Sequence, residues 1–261
     1  MTPDDLAAVG LRLDLAGPVA TITLDRPASR NAQTPAMWRA LAEVGAGLGD
    51  EVRVVIVRGA GQSFSAGLDR AMLDPTNTDA GETVAGLLQR DDEEIIATIG
   101  DYQQGFTFLR DPRFVSIAVV QGYAIGAGFQ LALSCDLRIL ADDAQLCMKE
   151  SALGLVPDLT GTKPLVEAVG YGRELEICAT ARMVPAAEAV AIGLAQTACP
   201  HDELDQVVDA LVAALTAPAA GAVRETKALL AGAATRDLDT QCLAERTAQV
   251  RRFRELAATN R

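Results

Sequence analysis

The sequence predicts an α/β fold over residues 1–200 and a helical C-terminal region over 201–261. Three observations carry this. Compact apolar runs with strand character recur early, as in VRVVIV at 53–58 and SIAVVQG at 116–122. Segments with helical spacing separate them. After about residue 160 helical segments dominate.

The elements follow in order. Residues 11–15 and 19–24 alternate like strands around Gly17-Pro18, a hairpin signal. Thr34-Pro35 reads as an N-cap with proline at the first helical position, and Met37, Leu41, Val44 and Leu48 follow at helical spacing. The strand 53–58 runs into a glycine-rich loop, GAGQSFSAGLD (59–69). Residues 70–87 are polar, without clear periodicity, and read as a mobile surface segment. A helix is predicted over 88–110. The strand 116–122 leads through glycines into a helix, followed by short strands at 137–141 and 145–148. Helices are predicted over 161–169, 173–181, 186–192, 202–216 and 219–232. No element is assigned beyond 232.

Composition narrows the function. The 261 residues are 49% apolar but only 4% aromatic, so the core is built from Ala, Val, Leu and Ile. A net charge of −12 argues against nucleic acid and against anionic membrane surfaces. An anionic ligand must then be met by a local arginine cluster. The five cysteines are odd in number and none are spaced CxxC, which predicts reduced thiols rather than disulfides or a zinc site. The MTPDD start has neither a basic nor an apolar leader region, so a cytoplasmic location is expected. The uncharged run from Val115 to Leu133 contains Gln121, Gln130 and three glycines. It reads as strand, turn and buried helix, not as a membrane span.

Two buried strands each run into a loop of small residues. Small residues let a ligand approach the backbone closely. The second loop opens a helix, whose first N–H groups lack internal acceptors and carry partial positive charge. Two such loops either aim two N–H groups at one oxygen, as an oxyanion hole, or are simply tight turns. GAGQS fits neither GxGxxG nor GxxxxGK[ST], so a dinucleotide or nucleoside triphosphate site is poorly supported.

At these residues the chain resembles the crotonase superfamily, the enoyl-CoA hydratase/isomerase family. FSAGLD (64–69) resembles its first oxyanion motif, GYAIGAGFQLALSCD (122–136) its second, and DRPASRNAQ (25–33) the segment lining the coenzyme A site. The resemblance implies repeated ββα units with a helical C-terminal trimerisation region, assembled as a homotrimer or dimer of trimers. It implies an acyl-CoA thioester as ligand, with coenzyme A part of the substrate and no separate cofactor. It places the oxyanion donors at the backbone N–H groups of Ala66 and Ala127, with Gly67, Leu68, Asp69 and Gly126 around them. Ser29 and Arg30 fall near coenzyme A, and Arg26 and Arg30 supply positive charge. Asp69 is expected to bond loop N–H groups.

Family hydratases carry two glutamates, here at the positions of Gln130 and Glu150. Gln130 is no base, but it can orient a water or substrate. Glu150 alone can move a proton between two carbons, which is double-bond isomerisation. Asp158 matches an aspartate of the family's dienoyl-CoA isomerases, or else is a turn or helix-cap residue. An isomerase is therefore favoured. The alternatives are a hydratase with Gln130 orienting water and a non-catalytic acyl-CoA-binding protein. His201 is the only histidine and lies far in sequence from both loops, which speaks against Ser–His or Cys–His chemistry. Lys227, Arg251 and Arg252 read as solvated helix residues. Relatives continue into a further helix with a basic tail, and no such segment is legible here.

Overall fold

The computed structural model describes residues 1–74 and 82–259. Its strands are β1 (Leu11–Ala16), β2 (Val19–Leu24), β3 (Val54–Gly59), β4 (Val115–Val120), β5 (Tyr123–Ile125), β6 (Leu137–Ala141), β7 (Gln145–Cys147), β8 (Val184–Pro185) and β9 (Thr197–Cys199). Its helices are α1 (Pro3–Ala8), α2 (Pro35–Gly47), α3 (Val84–Leu87), α4 (Asp92–Thr107), α5 (Ala127–Ser134), α6 (Thr162–Val169), α7 (Tyr171–Thr180), α8 (Ala186–Ala191), α9 (Leu204–Thr216), α10 (Ala220–Ala233) and α11 (Leu238–Thr259).

One six-stranded sheet runs β1-β2-β3-β4-β6-β9, and a three-stranded sheet runs β5-β7-β8. The β1–β2 hairpin is antiparallel, and every later pairing in the large sheet is parallel. The register sets Val54 beside Val19 and Val115. Side chains alternate across the sheet. Val55, Val57, Ala118 and Val120 therefore enter one apolar cluster. Val54, Ile56, Ile117 and Val119 enter the other, beneath Leu204 and Val208 of α9. A parallel strand covered on both faces reads as a continuous apolar run, and that is why 53–58 and 116–122 were legible.

Helix α2 starts where Thr34 accepts the Met37 N–H and Pro35 follows. The predicted helix over 88–110 is α4 plus a 3₁₀ turn at Phe108–Arg110. Of the predicted surface segment 70–87, residues 75–81 lie outside the described residues, and α3 occupies part of the rest. The second glycine-rich loop is shorter than predicted, because β5 forms inside it by pairing with β7.

Two corrections concern the C-terminal region. A 22-residue helix, α11, occupies the stretch with no assigned element. Its Leu243, Val250, Phe253 and Leu256 are exposed, so no apolar stripe faces the chain's own core to mark it in sequence. Lys227 is not solvated. It donates to Asp136 Oδ2 at 2.7 Å and to the Phe114 carbonyl at 2.8 Å, and so ties α10 to the sheet. Arg251 pairs with Glu225 at 2.6 Å, and Arg252 with Glu255. Among the described residues no single helix is long and apolar enough to cross a membrane; α9 and α10 pass that test only as a pair bent by 99°.

Candidate active site

The two glycine-rich loops meet side by side. Ser65 donates its N–H to Tyr123 O (2.8 Å) and accepts from Ile125 N at its own carbonyl (3.0 Å). Gly67 then passes directly over the second loop at φ +88°. A Cβ there would collide with the Ile125 carbonyl and lie 3.5 Å from Ala127 N. Only glycine satisfies both the backbone angle and the approach.

The first donor must be corrected. Ala66 N–H already donates to Arg30 O at 2.8 Å, so it is not available to a ligand. Gly67 N–H is taken by Ser65 Oγ at 3.1 Å. The N–H groups of Phe64, Ser65, Ala66 and Gly67 are all taken, and the next, that of Leu68, has no protein partner among the described residues. The Gln33–Leu68 bridge explains its direction: Gln33 N–H donates to Gly67 O and Asp69 N–H to Gln33 O, leaving Leu68 N–H turned the other way.

At Ala127 a helix opens, as the sequence predicts. Ala127 is the first residue of α5, whose N-cap Gly126 has φ +50° and offers no side-chain cap. Every residue of α5 is buried. Full burial of Phe129, Leu131 and Leu133 contributes about 1.5–3 kcal/mol each. The C-terminal carbonyls are covered by cations: Arg138 donates to Ala132 O and Cys135 O, and Arg110 to Leu133 O. The helix is thereby pinned with its positive end at Ala127.

Opposite this end lies Glu150, in a 3₁₀ turn over Glu150–Leu153. A Cβ on Gly126 would sit 3.3 Å from Glu150 Oε1, so the carboxyl is adjacent to the donor loop. Glu150 is buried, and its Oε2 has no protein partner. Desolvation by burial pushes its pKa up, the Asp158 charge adds to this, and the Gln130 hydrogen bond opposes it.

Gln130 is wholly committed to structure at its oxygen. Its Oε1 accepts from Leu159 N–H (2.8 Å) and Gly161 N–H (3.2 Å). Its Nε2 donates to Glu150 Oε1 at 2.6 Å. The two backbone donors fix the amide orientation, since a flipped NH₂ would face them. Asp158 lies in the same loop, its carbonyl held by Gln103 Nε2 of α4 at 2.7 Å. The residue is exposed, yet protein crowded around the carboxyl raises its pKa by desolvation.

At the mouth, Arg26 is engaged: it donates to Asp69 Oδ2 (3.0 Å) and Ala32 O (2.7 Å). Asp69 also accepts from Ala71 N–H, the loop-holding part expected of it. Ser29 Oγ donates to Arg26 O. Arg30 is exposed, has no carboxylate partner among the described residues, and lies 5.8 Å from the ring centre of Tyr123. Tyr123 is 41% exposed and had no sequence signal beyond its place in the second motif.

Other groups are elsewhere. Burial first, then the Glu174 and Glu150 carboxylates, push the Cys178 thiol up to about 11, so it is no nucleophile at neutral pH. His201 is exposed beside Asp143. A cavity of about 1070 Å³ lies between α10 and the sheet; Ser134 and Thr160 line it, but Leu68, Ala127 and Glu150 do not. Among the described residues no cluster of three or more His, Cys, Asp or Glu is placed to hold a metal.

This fold, with two glycine-rich loops side by side and the buried Glu150 carboxyl next to Gly126, is that of the crotonase-type acyl-CoA enzymes. A family profile described as Enoyl-CoA hydratase/isomerase matches residues 15–259, and the chain belongs to that family. It is 31% identical over 212 residues to a probable enoyl-CoA hydratase of Mycobacterium bovis, covering 80% of this chain and 76% of that protein. It is 32% identical over 181 residues to a peroxisomal Δ(3,5)-Δ(2,4)-dienoyl-CoA isomerase of Arabidopsis thaliana, covering 69% of this chain and 64% of that one. Among solved structures, a putative enoyl-CoA hydratase of Thermobifida fusca in complex with acetoacetyl-CoA is 53% identical, with a TM-score of 0.92 and coverage of 97% and 98%. A putative enoyl-CoA hydratase of Thermobifida fusca in complex with CoA gives 0.93 at 52% identity, covering 99% of this chain and 98% of that one.

Proposed function

We propose that the protein binds an acyl-CoA thioester, holds its carbonyl oxygen between Leu68 N–H and Ala127 N–H, and shifts a double bond with Glu150 as proton carrier. The observation that carries this is the Gln130–Glu150 hydrogen bond. Gln130 is spent holding Glu150 and the 158–161 loop, so the pair offers one titrating carboxyl. That suits proton transfer between two carbons better than activation of water by two carboxylates.

In a 3-enoyl thioester, Glu150 takes the proton at C2. The electron pair moves onto the carbonyl oxygen, giving a dienolate held by the two N–H groups. Glu150 returns the proton at C4, the electrons fall back from oxygen, and the double bond stands at C2–C3. The free Oε2 is the atom that carries the proton. Where the substrate is a 3,5-diene, Asp158 supplies a second acid for a longer shift; the likeness to a dienoyl-CoA isomerase supports that extension. Arg30 meets a coenzyme A phosphate beside Tyr123.

The names of several relatives favour a second reading, hydration with Glu150 as sole acid and base. Rates on 3-enoyl-CoA and on 2-enoyl-CoA hydration separate the two. Isomerisation exceeding hydration supports the first, and efficient hydration overturns it. Leu153, Val156, Tyr171 and Leu175 are exposed near the site, an apolar surface consistent with a homotrimer or dimer of trimers. Sedimentation as a monomer at micromolar concentration would contradict that assembly.

A further inference from the structure

The first donor loop is tied to a buried hydrogen-bond chain that ends at the only tryptophan of the sequence, Trp38. Trp38 Nε1–H donates to Gln33 Oε1 at 2.8 Å. Gln33 Nε2 donates to Ser65 Oγ at 3.1 Å. Ser65 Oγ–H donates to Asn31 O at 2.8 Å and accepts the Gly67 N–H at 3.1 Å. Trp38, Gln33, Ser65 and Asn31 are all at most 3% exposed.

The direction of every bond is fixed. The Asn31 carbonyl can only accept, so the Ser65 hydroxyl must donate to it. Both remaining Ser65 acceptor positions are then filled, by Gly67 N–H and by the Gln33 amide NH₂. That leaves Gln33 Oε1 for the indole, which can only donate. The amide is therefore constrained from both ends, and no member of the chain is left unpaired.

Gln33 also brackets Leu68 with its main chain, accepting from Asp69 N–H at 2.8 Å and donating to Gly67 O at 2.7 Å. Three bonds thus run from Gln33 and Ser65 into Gly67 and Asp69, the residues on either side of Leu68. We propose that Gln33 is a positioning residue for the oxyanion donor, and that Trp38 anchors it. Such a donor stabilises a developing oxyanion only if it is held still, because displacement of about 1 Å costs up to about a hundredfold in rate.

This rests on the reading that Leu68 N–H binds the thioester oxygen, and the test separates the two. Acetoacetyl-CoA is the probe: its β-keto thioester loses a proton to give an enolate with its own near-ultraviolet absorbance. A working pair of donors lowers the pH at which the bound molecule ionises relative to the free one. Gln33→Met keeps volume and removes both side-chain bonds. Trp38→Phe keeps the ring and removes one donor. The expected result is a rise in the ionisation pH of bound acetoacetyl-CoA in Gln33→Met, and a smaller one in Trp38→Phe. Turnover falls about ten- to a hundredfold with KM within about threefold of wild type. The double variant is no worse than Gln33→Met alone, since one chain is cut twice. If the wild type does not lower the ionisation pH, the donor assignment itself fails. If the wild type does and both variants match it, the positioning role of Gln33 is overturned.

Discussion

At Leu68 and Ala127 the groups proposed to meet the ligand are main-chain N–H, fixed by a glycine crossing and a helix start. Beside them the proposed proton carrier is a side chain, Glu150, and its position depends on another side chain, Gln130. On the proposed reading the donor half tolerates changes of side chain at its own positions, because its part is carried by backbone. The acid half does not. On the proposed reading, chemistry is therefore tuned on the acid side, while the donor side keeps the thioester in place.

Substitutions can break this contrast in order of size. Glu150→Gln is expected to lower isomerisation about 10²–10⁴-fold while acyl-CoA still binds, read by steady-state kinetics and ligand titration. Gly67→Ala forces a side chain into the Ile125 carbonyl at positive φ. It is expected to cost about 10²–10³ in kcat, the scale of one lost oxyanion donor. Leu68→Ala, by contrast, leaves the N–H in place and changes turnover less than about tenfold. A hundredfold loss in Leu68→Ala with none in Gly67→Ala would invert the comparison. Arg30→Ala is expected to raise KM several-fold, with an effect that shrinks as salt rises.

The acid half also makes a pH prediction. Burial holds the Glu150 carboxyl above its ordinary value. As a base it must be ionised, so turnover falls as pH drops through a pKa above the usual glutamate range. Stability runs with the opposite sign. The native state binds this proton more tightly than the unfolded chain, so stability declines as pH rises from the ordinary glutamate value through the raised one. Glu150→Gln is therefore expected to melt higher than wild type near pH 8 and no higher near about pH 4. Equal melting shifts at both pH values would show that the carboxylate is not strained by burial.

Strands β1 to β4, β6 and β7, most of the helices and the opening of α5 at Ala127 were legible because they follow local rules: apolar runs, alternation, and a helix opening after glycines; the short strands β5, β8 and β9 were not, since only pairing with distant strands makes them. Leu68 was not. The motif FSAGLD marks the loop, but which of its N–H groups is free depends on a partner distant in sequence, Arg30 O, and on the local turn that sets Ser65 Oγ on the Gly67 N–H. Gln130 was legible as an amide at the position of a second acid in family hydratases, but not as a clamp, since its acceptor contacts come from backbone at 159 and 161. Helix α11 escaped notice because its apolar residues face away from its own core. Lys227 looked solvated because its partner, Asp136, sits 91 residues away.

A crystal structure of the protein with acetoacetyl-CoA tests the central claim most directly. The thioester oxygen is expected within about 2.7–3.1 Å of both Leu68 N and Ala127 N, with Ala66 N–H still bonded to Arg30 O and Glu150 Oε2 facing the acyl carbons. An oxygen bonded to Ala66 N, with the Arg30 contact released and Leu68 N turned away, would contradict the account.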